Sequence, residues 1–211
     1  MPRTDPVVTL GRAAIVGALA WVGIIAVLHL LRPDLAPGDA YISNYARGDW
    51  AWLMRLAFFL NAAGWVAAGE GMRRTVPGRA GVTLAVLAWL GALGLVIAGV
   101  FRADPLGSPT VSAEGWLHSR GAGLAFIALI ALGFAGWLAF RDTTMWGRWT
   151  RVSLTYGLVA SGLLAVYLVW ADAVGDGFGW WQRALAFAVI PAWLAALGAR
   201  LDRIRSGQTE N

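Results

Sequence analysis

Cysteine and lysine are both absent from this chain of 211 residues, and it has only two histidines. Without cysteine there is no disulfide, iron–sulfur cluster, thiolate metal site or cysteine nucleophile. Without lysine there is no Schiff base, so retinal-type photochemistry is excluded. Charge is also scarce, at 14% of the residues, against roughly 25% in soluble domains. Such a chain cannot cover its own surface in water, which predicts a membrane protein.

Apolar residues make up 58% of the chain, and its mean hydropathy is +0.61. They concentrate in long runs of about 20 residues, the length that a helix needs to cross a bilayer. No strand pattern interrupts them. We therefore expect an all-α fold, a single domain over residues 1–211 built as a bundle of six transmembrane helices. The expected spans are Ala13–Leu31, Ala51–Met72, Gly81–Phe101, Leu117–Phe140, Val152–Ala173 and Trp181–Leu201.

The arginines predict how the bundle is oriented. All 17 basic residues are arginine, and because they are scattered between apolar runs, the net charge of +5 indicates topology rather than nucleic-acid binding. Eleven lie in the N-terminal segment, the second and fourth loops and the tail, and five in the other three loops. Short cytoplasmic loops are enriched in arginine, so we expect both termini in the cytoplasm and a multi-pass protein of the cytoplasmic (inner) membrane.

The first apolar run follows Arg3 and Arg12, as the core of a signal peptide would. It is too long for that role and no small-residue cleavage site follows, so we expect it to be the first transmembrane helix. Tryptophans near the span ends are typical of interfacial belts. We expect Trp50, Trp52, Trp116, Trp170, Trp180 and Trp181 in the outer belt, and Trp146 and Trp149 in the inner one.

Ionisable residues without an obvious structural role gather in two outer loops, Arg32–Arg55 and Phe101–His118. Arg55 falls about one turn inside the second helix, where a charge costs less than the roughly 2.5–3.5 kcal/mol of the mid-bilayer. It either snorkels to the headgroups or pairs with a carboxylate such as Asp34 or Asp104. The candidate ligand-binding residues are Ser43, Tyr45, Arg55, Arg102, Asp104 and His118.

The two histidines, His29 and His118, are both expected near the outer interface. His118 either ties a loop to the start of the fourth helix or takes part in ligand binding. Together the two could ligate one b-type haem, or a zinc ion with Asp104 or Glu114. A diiron or multi-histidine hydrolase site needs more imidazoles than the chain has. We expect no cofactor, with haem on His29 and His118 as the alternative.

Motifs in the two outer loops and the adjoining helices carry a family resemblance: Arg32-Pro33, Ile42-Ser43-Asn44-Tyr45 with Gly48, Trp52-Leu53-Met54-Arg55 with Phe58, and Phe101, Asp104-Pro105, Gly107, Gly115, His118 and Phe126. Over nearly the whole chain the sequence resembles an uncharacterised bacterial and archaeal membrane family, "domain of unknown function 998". The resemblance implies six transmembrane helices and no established activity. A more distant similarity is to the DRAM and FRAG membrane families, some of which are associated with lipid organisation or transport.

Three classes of function fit the sequence. The first is a protein that binds or transports a lipid or amphiphile, whose headgroup Arg55, Arg102, Asp104 and His118 hold at the outer face. The second is a membrane-embedded enzyme, a hydrolase or isoprenoid cyclase, in which Asp104 is the acid and His118 its partner. The third is an accessory subunit of a larger membrane complex. We expect the first, with membrane lipids and a lipophilic small molecule as partners and no nucleic acid; the sequence leaves the oligomeric state open.

Overall fold

A computed structural model describes residues 5–105, 107–174 and 176–206, and within them the fold is all-helical, without strands. Six helical segments are long and apolar enough to cross a membrane, which confirms the predicted architecture. They are α1 (Pro6–Leu31), α2 (Ala51–Thr75), α3 (Gly78–Val100), α4 (Ala113–Phe140), α5 (Trp149–Ala173) and a sixth span, Phe178–Ile204. We call the end of the bundle at which α1, α3 and α5 finish the site end.

Helices α1 and α4 begin earlier than their apolar runs predict, and in each a polar residue caps the start. α1 starts at Pro6 rather than Ala13, and the Asp5 carboxylate accepts a hydrogen bond from the Val7 amide at 2.7 Å. α4 starts at Ala113 rather than Leu117, and the Ser112 hydroxyl accepts from the Gly115 amide at 3.0 Å. Such caps satisfy amide donors that the first helical turn leaves unpaired. A hydropathy profile does not detect these caps.

The sixth span is irregular. It consists of α6 (Phe178–Arg183), a π-helical segment (Ala184–Val189) and α7 (Ile190–Ser206). Pro191 has no amide hydrogen, so it cannot pair with the Ala186 carbonyl in the wider π-helical ladder. The indole of Trp21 on α1 donates to that carbonyl instead, at 2.7 Å. The bond joins the first span to the last.

Each helix packs against its neighbours along the chain, and α7 closes the ring against α1 and α2. Glycine allows the closest approaches: a Cβ on Gly17 would lie 2.7 Å from the Leu60 carbonyl of α2, and one on Gly11 would lie 2.5 Å from the Gly198 carbonyl of α7. Trp146, expected in an interfacial belt, is instead fully buried and stacks on Phe140 at 4.5 Å. An aromatic pair of this kind contributes to packing rather than to anchoring.

The predicted orientation can be tested by cysteine labelling, because the chain has no cysteine of its own. Ser108 is exposed at the site end and Thr144 at the opposite end. We expect a membrane-impermeant maleimide to label a Ser108→Cys variant in intact cells and a Thr144→Cys variant only after permeabilisation. The reverse pattern would contradict the arginine-based orientation.

Candidate functional site

A groove of about 700 Å³ opens at the site end between α4, α5 and α6. Its polar wall comes from the two loops that precede α2 and α4, and its apolar wall from α4 and α5. On the apolar wall, Ile127 and Leu168 are 66% and 56% exposed on the outside of the bundle. The groove is therefore open to the surroundings of the helices as well as to the bundle end.

A smaller chamber of about 60 Å³ lies deeper, among α1 to α4 and the sixth span. Its walls are mostly apolar and include the Trp21 and Phe58 rings, which meet edge to face at 5.2 Å. The chamber and the groove share a set of lining residues, which we call the neck: Ser43, His118, Ala122, Phe126 and Gln182. The groove and the chamber therefore adjoin each other, and the partly polar neck lies between the open groove and the more apolar chamber.

Asp104 lies in the polar wall of the groove. Its carboxylate accepts from the Ser112 hydroxyl at 2.6 Å and from the Ser112 amide at 3.0 Å. These bonds hold the pKa of Asp104 below its usual range, with a smaller contribution from the nearby charge of Arg47. The carboxylate is therefore anionic at neutral pH. Because Ser112 caps α4, Asp104 also fixes the start of that helix.

His118 is 5% exposed and contributes to both the groove and the chamber. Its Nδ1 donates to the carbonyls of Ala98 and Phe101 at 2.9 and 3.1 Å, at the end of α3. The histidine thus ties α3 to α4. A proton on Nδ1 leaves Nε2 of the neutral ring as a hydrogen-bond acceptor.

Arg183 at the start of the sixth span is buried, at 5% exposure. Its guanidinium donates to the carbonyls of Pro37, Ala40 and Gly179 at 2.6, 2.7 and 3.2 Å. It also donates to His29 Nε2 at 3.0 Å and to the Tyr45 hydroxyl at 3.4 Å. The first loop is thereby held against α6.

The preceding residue on the same helix reinforces this arrangement, since the side-chain carbonyl of Gln182 accepts a hydrogen bond from the Ile42 amide at 2.8 Å. Gln182 and Ser43, which follows Ile42, both belong to the neck.

The predicted site residues are only partly brought together. Ser43, Asp104 and His118 line the groove. Tyr45 is fully buried beside Arg183. Arg102 points away and approaches Glu114 at 3.7 Å, with both side chains more than half exposed.

Arg55 is half-buried, and neither the groove nor the chamber includes it. In the part of the chain that the structure describes, the Nε of Arg55 has no hydrogen-bond partner. Asp104 accepts from Ser112 instead, and Asp34 accepts from Arg32. The expected pairing of Arg55 with a carboxylate is therefore not formed.

Sequence reasoning missed Gln182, Arg183 and Asn61. Arg183 was counted with the loops, although it is buried, because hydropathy cannot identify which polar residues at a span end turn inward. Asn61 is a polar residue within the apolar run of α2, and the sequence alone could have identified it as a candidate on that ground. It is 2% exposed and lines the chamber, and no described residue bonds its side-chain oxygen.

The two histidines have separate surroundings. His29 donates from Nδ1 to the Ile25 carbonyl at 2.7 Å, and its Nε2 accepts from Arg183, so a metal could reach that nitrogen only by displacing the guanidinium. Within residues 5–105, 107–174 and 176–206, no three His, Asp or Glu side chains are grouped as metal ligands would be. The arrangement gives no support to haem or zinc on His29 and His118.

The chain belongs to the family described as protein of unknown function (DUF998), whose family model matches residues 15–200. No curated protein and no solved structure matches the chain. The similarity to the DRAM and FRAG families stays an expectation from the sequence.

The Asp104–Ser112 contact predicts an acid-dependent stability. Because the pKa of Asp104 is lowered in the folded protein, its contribution is fully present above the usual aspartate pKa of about 3.9 and is lost as the pH falls through the lowered value. Ser112→Ala should cost about 1 kcal/mol at pH 7, through the lost cap. Between pH 5 and pH 3, the melting temperature of the Ser112→Ala variant should also fall less than that of the wild type.

Ser108→Ala is the matched control, since Ser108 lies in the same loop and its hydrogen bond to a described residue, from its amide to the Pro105 carbonyl, is one that alanine keeps. Melting curves in detergent across the pH range give the comparison. A Ser112→Ala profile that coincides with the wild-type profile would show that the contact contributes nothing.

Proposed function

We propose that this member of the DUF998 family binds a single-chain lipid or other amphiphile in the groove, with the polar end at the neck and the chain along α4 and α5. The observation that carries the proposal is that one groove combines an exposed apolar wall with the partly polar neck. Sites for small molecules combine an apolar lining with a few placed polar groups, and the groove has that composition.

The apolar wall suits an alkyl chain. Gly123, Ile127, Leu164 and Leu168 line the groove along facing turns of α4 and α5. In a bilayer these exposed side chains contact lipid, so a chain can enter sideways without crossing water. Gly123 keeps this route open, since a Cβ built on it meets no heavy atom within 4 Å.

The polar residues support binding more than acid–base catalysis. Asp104 would have to be protonated to act as the acid, whereas its bonds to Ser112 lower its pKa. His118 directs Nδ1 to backbone carbonyls rather than to that carboxylate. With the orientation expected from the arginines, the groove opens on the outer face of the cytoplasmic membrane, and the protein takes up its ligand or passes it on there.

Filling the groove should abolish binding. Gly123→Phe places a ring on the apolar wall, where there is space for it. We expect at least a tenfold loss of affinity, on the order of 1.4 kcal/mol or more, with the melting temperature of the ligand-free protein unchanged or slightly raised because glycine disfavours helices. Binding of a fluorescent fatty alcohol to the protein in amphipol measures the effect.

Gly162→Phe is the matched control. Gly162 lies on α5, a Cβ there also meets no atom within 4 Å, and the residue lines neither the groove nor the chamber. This variant should bind as the wild type does. Equal affinities of the two variants would count against the groove as the binding site.

Asn61 should lower the stability of the ligand-free protein and contribute to binding of the amphiphile. Its side-chain oxygen is buried without a hydrogen-bond partner among the described residues. A buried polar group left unpaired costs about 1–3 kcal/mol, so Asn61→Leu should stabilise the ligand-free protein by about 1 kcal/mol. The increase in melting temperature that the amphiphile produces should become smaller, because a ligand donor that reaches the chamber loses its acceptor. A variant that is less stable without ligand, or that is stabilised by ligand as much as the wild type, would show that Asn61 has no such role.

A further inference from the structure

The groove contains little charge. Among its described lining residues, Asp104 is the one side chain that carries a full charge, and that charge is negative. This charge, although offset in part by nearby Arg47, disfavours a phosphate-headed ligand, since like charges a few ångströms apart repel each other even when partly solvated.

The arginines at the site end are directed elsewhere, and the guanidinium of Arg120 lies over the Trp116 ring at 5.2 Å. Arg32 forms an ion pair with Asp34 at 2.7 Å, and Arg47 donates to the Ala103 carbonyl at 2.7 Å. Arg102 approaches Glu114, and the guanidinium of Arg183 is surrounded by loop carbonyls, His29 and Tyr45. Arg55 does not line the groove. None of these positions offers a guanidinium fork to a phosphate in the groove, which is the usual way that proteins bind that group.

Both acceptors and donors are available around the neck and chamber, since the side-chain amides of Asn61 and Gln182 carry NH2 groups as well as oxygens. The Asn61 oxygen lacks a donor among the described residues, and a neutral His118 with its proton on Nδ1 presents Nε2 as an acceptor. Each oxygen of Asp104 accepts one bond from Ser112, and a carboxylate oxygen can accept a second. A hydroxyl group, which can donate to the acceptors and accept from the amide donors, fits this set of atoms.

A cation would also donate, but the chamber does not suit one. Its described lining residues include no carboxylate, so an ammonium group there would be buried without a counter-charge. Its volume of about 60 Å³ is below the roughly 150 Å³ of an apolar cavity that holds benzene. A hydroxyl or hydroxymethyl group fits that space.

We infer that the ligand is an amphiphile with an uncharged, hydroxyl-bearing polar end, which donates to Asn61 and His118, and not a phosphate-headed lipid. This inference rests on the proposed function and specifies the ligand class. It also replaces the expectation that Arg55 and Arg102 hold a headgroup.

Three probes with the same dodecyl or lauroyl chain test the inference: monolaurin, dodecyl phosphate and dodecylammonium, whose head group carries N–H donors. They are titrated calorimetrically into the full chain in amphipol, since a maltoside detergent would itself compete as a hydroxylated amphiphile. We expect monolaurin to bind at least about tenfold more tightly than dodecyl phosphate, and more tightly than the ammonium probe. Equal or tighter binding of either charged probe would overturn the inference but leave the proposed function intact. If no probe binds, the proposed function fails and the inference fails with it.

Asp104→Asn tests the charge argument separately. Removing the negative charge should reduce the preference for monolaurin over dodecyl phosphate several-fold. Asp172→Asn is the matched control, because Asp172 is an exposed carboxylate near the end of α5 that does not line the groove. A preference that is unchanged in Asp104→Asn, in a variant whose melting temperature stays near the wild-type value, would contradict the role assigned to this carboxylate.

Discussion

The buried guanidinium of Arg183 connects the first loop, α1 and α6 through hydrogen bonds. It donates to carbonyls of the first loop, to the imidazole of His29 on α1 and to the hydroxyl of Tyr45. A buried charge is tolerated when its donors are satisfied, and here neutral acceptors satisfy them without a carboxylate. This network holds the first loop on α6, where Gln182 bonds the Ile42 amide and Ser43 reaches the neck. The other side of the neck depends on His118, which joins α3 to α4.

The spans could be predicted from the sequence because the bilayer demands long apolar helices, and six such segments are present. Helix starts could not be placed as well, since Asp5 and Ser112 extend α1 and α4 through caps that hydropathy does not detect. The π-helical segment depends on Pro191 together with Trp21, and that indole comes from another span. Features made by contacts between distant segments are not visible in a local pattern.

In the candidate site too, local patterns identified some residues, whereas contacts between distant segments determined the others. Ser43, Asp104 and His118 were identified as unexplained polar residues, and they line one groove. Charge alone did not identify the other lining residues, because Arg55 and Arg102 do not line the groove. Asn61 and Gln182 are uncharged, yet both line the chamber. What matters for binding is which polar atoms keep unused hydrogen-bonding capacity after folding, and that depends on the packing of every helix in the ring.

The central claim is that the groove and chamber hold an amphiphile in the protein's own membrane. Native mass spectrometry of the wild-type chain, extracted from that membrane without added lipid, tests the claim most directly. The account predicts a bound single-chain molecule of defined mass with a hydroxylated, uncharged polar end. Protein that carries no bound molecule, or only the bulk phospholipids in their membrane proportions, would contradict it.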